Sequence, residues 1–555
     1  MTASFSTSTG RTRRLGFLTH GSLNRGVEMK LSSSESVEDL RAGQFVVIEG
    51  EKYDFFSMIT DMSIKASNEH ILLHPPSADQ PLIRDIMQGS STYTLVTLRP
   101  MLMMDNRTLE AFARPEKVKT VPSHFAPVAM ATDEDVARIF GNENNEGGTR
   151  YFNIGVPLDM DSPVCIDLHR FAERSNAIFG KTGTGKTFIT RILLSGLIKT
   201  DRAVNLIFDM HSEYGLRARK ESADPDRDEF VKGLRDLFPA KVNIFSLDPE
   251  STRMRGYSPD FSVFIYADQV EPEDILPLQD TFNLTSTATE TAFLLRNAFG
   301  KNWLMRLLQT PDQEMKTLAE ACGAHEGAIA ALGRKLRKLT DFSFFKLESS
   351  QQKQDVLDAL LESIDRGRSV VLEFGRYDDL RAYLLVANMI TRRLRAAYER
   401  KTNQYLASQN PADKPRQLII AIEEAHKFLS PHIARETPFG KIAREMRKFF
   451  VSLLIIDQRP SAIDEEILSQ IGTRIIAQLN DEKDMQAALV GTANASALKQ
   501  VLASLDSKQQ ALFLGHAMPM PIVVRTRSYD EAFYQAMHAT PSPTLQEIQS
   551  EFAGE

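Results

Sequence analysis

Residues 180–187 read Gly-Lys-Thr-Gly-Thr-Gly-Lys-Thr, with glycines, hydroxyls and a lysine at the spacing that wraps a phosphate chain. Gly180, Gly183 and Gly185 let backbone N–H groups converge on phosphate oxygens. Lys186 is placed to reach the β- and γ-phosphates, and Thr187 to offer its hydroxyl to Mg²⁺. Thr182 and Thr184 complete the cradle. The apolar run 176–179 predicts a strand before the loop, and the run 188–194 predicts a helix after it. The amino end of such a helix adds partial positive charge. The expected ligands are ATP and Mg²⁺.

Other residues carry the chemistry that a triphosphate needs. The run 418–422 is an apolar strand that ends in Glu423 and Glu424. The first acid is expected to hold the Mg²⁺ shell through water, and the second to orient the attacking water. Alternatively, the strand simply ends in solvated acids. Gln458, after the apolar run 453–456, is read as a sensor of the γ-phosphate or as a turn residue before Pro460. Asp209 and Glu213 follow the run 204–208; they extend the acidic rim, or Asp209 is a helix N-cap. Segment 434–448 holds five basic residues (Arg435, Lys441, Arg444, Arg447, Lys448) and two acids. Arg444 and Arg447 are three apart and expected on one helix face, either to enter a neighbouring subunit's site or as a solvated basic face.

The elements that must position these groups are legible as patterns. From about 151, apolar runs alternate with helical stretches, as in a buried parallel sheet with helical crossovers. The strand runs are 177–179, 204–208, 242–245, 370–374, 418–422, 453–456, 475–477 and 511–514. Within 266–365 the strand signal lapses, and 285–307 and 315–339 carry helical periodicity. Residues 15–105 are rich in short β-type runs between turn signals, which predicts a small barrel. The expected fold is α/β. Its parts are a disordered N-terminus (1–14), a β-barrel with connector (15–150), a phosphate-loop core in two pieces (151–265 and 366–530), a helical insertion (266–365) and a peripheral tail (531–555).

Composition narrows the function classes. The chain has 555 residues, 42% hydrophobic and 25% charged, with a formal net charge of -7. It does not coat nucleic acid by bulk charge; any such contact needs a local basic surface. Arg217, Arg219 and Lys220 are one such guess, with a solvated surface turn as the alternative. Two cysteines exclude a disulfide framework and a cysteine-based zinc site. No run of 18 apolar residues marks a membrane span, and a cytoplasmic location is expected.

In this order the motifs resemble the HerA family of hexameric DNA-translocating ATPases. The matches are the loop at 180–187, Asp209-x-x-x-Glu213-Tyr214, Glu423-Glu424-Ala425-His426, the segment 443–449, Asp457-Gln458-Arg459-Pro460-Ser461 and the segment 469–474. Segments 16–31 and 521–525 also fit. The resemblance implies a RecA-like core topped by a β-barrel of the HAS type, in a homo-hexamer around double-stranded DNA. It implies that Lys186, Thr187, Glu423, Glu424 and Gln458 act within one subunit. Arg447, with Arg444 as second choice, would act on the neighbour's ATP, and Arg174 and Arg474 are further interface candidates. It also implies a separate nuclease or NADase-type effector on the barrel face, in DNA processing or anti-phage defence. Glu423 departs from the family's usual Asp by one methylene. The rival readings are an ATPase ring that chiefly scaffolds an effector and a conjugation or secretion motor.

Overall fold

The computed structural model describes residues 11–538 except 68–72, 74–76, 78, 81, 84–85, 88–90, 107–114, 145–147, 220–229, 280, 348–354, 378, 435–436 and 507–508. Two sheets organise the chain. The first is antiparallel, in the order Gly26–Leu31, Arg14–Ser22, Pro127–Met130, Phe45–Glu49, Tyr53–Ala66 and Thr92–Asp105. Thr92–Asp105 then pairs back onto Gly26–Leu31, which closes a six-stranded barrel, and the short strand Glu116–Lys117 adds to the outer part of Thr92–Asp105.

Strand Phe45–Glu49 shows how the barrel is seated. Side chains alternate across a strand. Val46 and Ile48 pack inside the barrel, with Phe55, Ile59 and Val96. Phe45 and Val47 point the other way and join a cluster containing Ile178, Leu193 and Leu454 of the core. Both faces are buried, so the strand reads as a continuous apolar run.

The chain is ordered earlier than expected. Arg11 is 6% exposed, and its guanidinium donates to Asp135 at 2.7 and 3.0 Å and to Asp54 at 2.8 Å. A buried guanidinium between two carboxylates pins the chain to the barrel, which corrects the expectation of disorder for residues 11–14. Residues 1–10 lie outside the described part.

The second sheet has twelve strands, in the order Phe261–Ser262, Val242–Ser246, Ser369–Glu373, Val204–Asp209, Leu418–Glu423, Val451–Asp457, Asn176–Phe179, Thr473–Ala477, Gln510–Gly515, Ile522–Thr526, Tyr151–Pro157 and Val164–Asp167. The first eight run parallel and the last four antiparallel. Each expected core strand is present, but the run 511–514, expected in the parallel sheet, forms Gln510–Gly515 and runs antiparallel; the parallel strands Val204–Asp209, Leu418–Glu423, Val451–Asp457 and Thr473–Ala477 are buried on both faces.

The insertion is helical but more divided than its periodicity suggests. The helices are Ser286–Phe299, Trp303–Gln309, Met315–Cys322 and Glu326–Leu336, with breaks at Gly300 and Gly323. Its base is closed by Ile265–Tyr266 pairing with Phe345–Lys346. Helix Glu531–His538 is packed rather than peripheral: Phe533, Tyr534 and Met537 are buried, and Tyr529 sits within 5.5 Å of the Arg191 guanidinium. Residues 539–555 lie outside the described part. Among the described residues, no helix is long and apolar enough to cross a membrane.

Candidate functional site

The phosphate loop joins the buried strand Asn176–Phe179 to helix Lys186–Lys199. Gly183 and Gly185 have φ of 78° and 89°, and a Cβ on either would meet open space. Glycine is required there by backbone conformation, and the vacant side suits a phosphate held by main-chain N–H groups. Thr184 ties the loop to itself by donating to the Lys181 carbonyl at 2.8 Å. Lys186 donates to the same carbonyl at 2.8 Å. Burial lowers the Lys186 pKa, while Glu424, Asp457, Glu423 and Glu213 favour its charged form.

Parallel strands place the other groups around the same loop, because their carboxyl ends face one side. The loop, Glu213, Glu423, Glu424 and Gln458 line a cavity of about 510 Å³. Glu424 has a φ of 48°, a left-handed conformation that costs a non-glycine residue about 1–2 kcal/mol. Its carboxylate accepts from the Gln458 amide nitrogen at 3.0 Å. The Gln458 amide oxygen accepts from Thr182 of the loop at 2.6 Å. Gln458 thus links the second acid to the loop, and its place is in the cavity rather than only in the turn before Pro460.

Glu423 is 9% exposed, accepts from the Tyr214 hydroxyl at 2.6 Å, and keeps its other oxygen buried without a partner. Burial first, and then the Asp209 carboxylate, push its pKa up to about 8, against the Tyr214 hydrogen bond. An orphaned, desolvated carboxylate oxygen beside a phosphate loop fits a cation that arrives with the nucleotide. Thr187 fits as well: it spends its proton on Glu213 at 2.9 Å and keeps lone pairs free. Among the described residues no cluster of three His, Cys, Asp or Glu side chains could hold a metal. Mg²⁺ bound mainly through phosphates and water needs no such cage.

Asp209 is not on the rim. It is fully buried, and its carboxylate accepts from the backbone N–H groups of Glu213, Tyr214 and Gly215 at 2.8, 2.9 and 3.2 Å. It builds the turn rather than facing the ligand. Glu213 does face the cavity. Arg219, guessed for a DNA-gripping loop, instead lines this cavity from the short strand Ala218–Arg219. Arg217 is exposed, and Lys220 lies outside the described residues.

Sequence reasoning passed over one pair. Asp457 accepts from the His426 backbone N–H at 2.7 Å and faces its imidazole Nδ1 at 3.0 Å. This hydrogen bond raises the His426 pKa. It ties the turn after Glu424 to the next strand. The signal was an acid closing an apolar strand beside a histidine.

The arginines lie elsewhere. Helix Pro438–Glu445 ends between Arg444 and Arg447, so the two do not share one α-helical face. Arg447 is exposed on the turn Met446–Phe449, just before strand Val451–Asp457, and its charge is felt at Glu173. Arg174 precedes the amino end of strand Asn176–Phe179, and Arg474 lies near the amino end of Thr473–Ala477. Arg474 is 4% exposed, donates to the Leu468 carbonyl at 2.6 Å, and is drawn down to about 10 by burial. Arg174 and Arg474 line a cleft of about 940 Å³ between barrel and core with Arg99, Lys117 and Arg170; no acid lines it among the described residues. Arg435 is outside the described residues.

A parallel sheet with a phosphate loop, a glutamine just after the neighbouring strand and an acid pair at the end of the strand beyond it defines a phosphate-loop NTPase of RecA-like build with an N-terminal β-barrel. Residues 152–394 match the family model described as the central domain of helicase HerA, which bears out the resemblance read from the motifs. The similar proteins include the DNA double-strand break repair helicase HerA of Sulfolobus acidocaldarius, 24% identical over 89% of this chain and 90% of that one. The protein of the same name from Saccharolobus solfataricus is 24% identical over 88% of each chain. Among solved structures, the bacterial conjugative coupling protein TrwBdeltaN70 aligns over 74% of this chain and 94% of its own at 13% identity, with a TM-score of 0.45.

Proposed function

We propose that this chain hydrolyses ATP in the cavity around residues 180–187 and uses the energy to move double-stranded DNA through a ring of six copies, as a HerA-type translocase or helicase. The observation that carries the reading is the division of labour along the core sheet. Lys186, Thr187, Glu423, Glu424 and Gln458 gather at the carboxyl end of the parallel strands. Arg447, Arg174 and Arg474 stand toward the amino end. Strand Val451–Asp457 has seven residues, about 20 Å of extended chain, so Arg447 does not reach its own chain's γ-phosphate. An arginine finger at that position acts on a neighbour, and a ring supplies one at every site.

In the proposed reaction Glu424 orients the attacking water and takes its proton as the water oxygen bonds to the γ-phosphorus and the bond from that phosphorus to the β–γ bridging oxygen breaks, leaving ADP and phosphate. Gln458 fixes the Glu424 carboxylate by its amide nitrogen. Lys186 exchanges the Lys181 carbonyl for phosphate oxygens. Glu423 and Thr187 would hold Mg²⁺, which neutralises charge on the β- and γ-phosphates when bound. Homologous names supply the DNA: the relatives above are called DNA repair helicases.

The proposal extends to a separate nuclease or NADase-type effector docked on the barrel face and to a cytoplasmic role in DNA processing or anti-phage defence. The test is ATP turnover with and without linear duplex DNA, beside the particle mass in solution. The reading expects a six-fold mass and duplex-stimulated turnover. Turnover indifferent to DNA in an intact ring favours the effector-scaffold alternative.

A further inference from the structure

The turn that follows strand Val204–Asp209 touches both groups assigned above to the Mg²⁺ shell, with two consecutive residues. Glu213 accepts the Thr187 proton at 2.9 Å. Tyr214 donates its hydroxyl to Glu423 at 2.6 Å. The turn cannot drift, because Asp209 holds the N–H groups of Glu213, Tyr214 and Gly215 from beneath. The buried Arg191 side chain donates to the Glu213 carbonyl and stacks near Phe188 and Tyr529. Tyr214 is fully buried and does not line the cavity.

We propose that Tyr214 and Glu213 are positioning residues that fix, from one rigid turn, the two side chains receiving the metal–nucleotide complex. Both roles rest on the nucleotide-site reading above. Thr187 rides on the phosphate loop, and Glu423 ends a strand two places away across the sheet. No direct hydrogen bond joins these two side chains among those the structure records. Their separation and facing directions are set by the turn that grips both.

The extra methylene of glutamate adds a further consequence. A longer side chain has one more rotatable bond than aspartate, so its carboxylate needs an external anchor to point one oxygen at the metal. The Tyr214 hydroxyl occupies Oε1 and leaves Oε2 as the buried, partnerless atom. It therefore selects which oxygen the cation meets. Thr187 is handled in the complementary way: Glu213 takes the proton, so that a lone pair faces the metal.

Tyr214→Phe and Glu213→Ala test this. Phenylalanine keeps the ring in its buried slot and removes only the donor; Glu213 is partly exposed, and its truncation leaves no buried hole. Binding of a fluorescent ATP analogue is titrated with and without Mg²⁺, and Mn²⁺ bound with ATP is counted by electron paramagnetic resonance. Melting temperature is read on the same samples. The expected result is unchanged analogue binding without metal, about tenfold or greater loss of the metal-dependent gain in each variant, and turnover partly restored at high Mg²⁺. Wild-type metal dependence in a folded Tyr214→Phe chain overturns the proposal. An equal loss of binding with and without metal also overturns it, because the turn would then only hold the fold. Should Tyr214→Phe melt early, Glu213→Ala decides by the same two criteria. If the unaltered chain shows no metal-dependent binding, the nucleotide-site reading fails with it; if the unaltered chain does and the variants match it, only the positioning role fails.

Discussion

Gln458 donates to the Glu424 carboxylate at 3.0 Å, and so holds the second acid of the strand-end pair in place before any water is bound. Glu424 itself sits in a left-handed backbone conformation. Strain at a residue held by its neighbours is a mark of a group kept for function. Glu424→Gln is expected to bind ATP as the unaltered chain does and to lose hydrolysis by about 10²-fold or more, because an amide does not take the proton. Glu423→Gln is expected to weaken the Mg²⁺-dependent part of binding. Nucleotide binding with and without Mg²⁺, followed by turnover, separates the two. Unchanged hydrolysis and metal dependence in Glu423→Gln would show that the longer acid does not hold the metal shell.

Lys186→Ala removes the loop ammonium assigned to the β- and γ-phosphates, while the backbone cradle stays. Thr184 and the glycines shape the loop without it. The variant is expected to melt near the unaltered chain and to turn over ATP at a few per cent of its rate or less, about 2 kcal/mol or more of lost stabilisation. Turnover and thermal melting are measured on one sample. Near-native turnover in a folded variant would remove the cavity from the reaction.

Arg11 tests the seating of the barrel. Burial alone would raise Asp135, but the Arg11 hydrogen bond and charge overcome it and hold the carboxyl below its ordinary value. Arg11→Ala leaves Asp135 and Asp54 beside an empty guanidinium slot, and the expected loss is about 3–5 kcal/mol. The folded pKa of Asp135 is depressed. Its contribution is therefore present above the ordinary aspartate range and lost as pH falls through the folded value. Melting curves of both chains should converge on acidification. An Arg11→Ala chain that melts like its parent at neutral pH would make the triad ornamental.

How much of this was visible beforehand follows from where the signal lives. Parallel strands are buried on both faces, so runs such as 418–422 and 453–456 stand out as unbroken apolar stretches. The phosphate loop and the strand-end acids are local, and they were legible for that reason. The role of Asp209 was not. An acid at a strand end looks the same whether it faces ligand or folds under to hold three N–H groups, and only the turn's path decides. A small barrel is expected from the short β-type runs, but which strands close it is not legible, since that depends on Thr92–Asp105 meeting Gly26–Leu31 far apart in the chain. The ordering of residues 11–14 is not legible in the sequence, because the partners of Arg11, Asp54 and Asp135, are distant from it along the chain. The spacing of Arg444 and Arg447 suggested one face, but the helix stops at Glu445.

Arg447 carries the last prediction. It lies on an exposed turn at the amino end of strand Val451–Asp457, whereas Asp457 at the other end lines the nucleotide cavity. Arg447→Ala is expected to bind ATP and to be nearly inactive alone, since a finger arginine contributes about 10³-fold or more to such reactions. The decisive experiment mixes it with Glu424→Gln subunits. A site with Glu424 intact can then face a neighbour with Arg447 intact, so activity should rise above that of either variant. Mixed assemblies are first verified by tagged co-purification. If they form and no activity returns at any ratio, titrating unaltered subunits with each variant distinguishes a strictly coordinated ring from an arginine that works within its own chain. Strict coordination gives a steep, more than proportional fall in activity as variant subunits are added; independent sites give a linear one. Full activity of Arg447→Ala alone would discard the finger and transfer the role to Arg444, which is partly buried on the preceding helix.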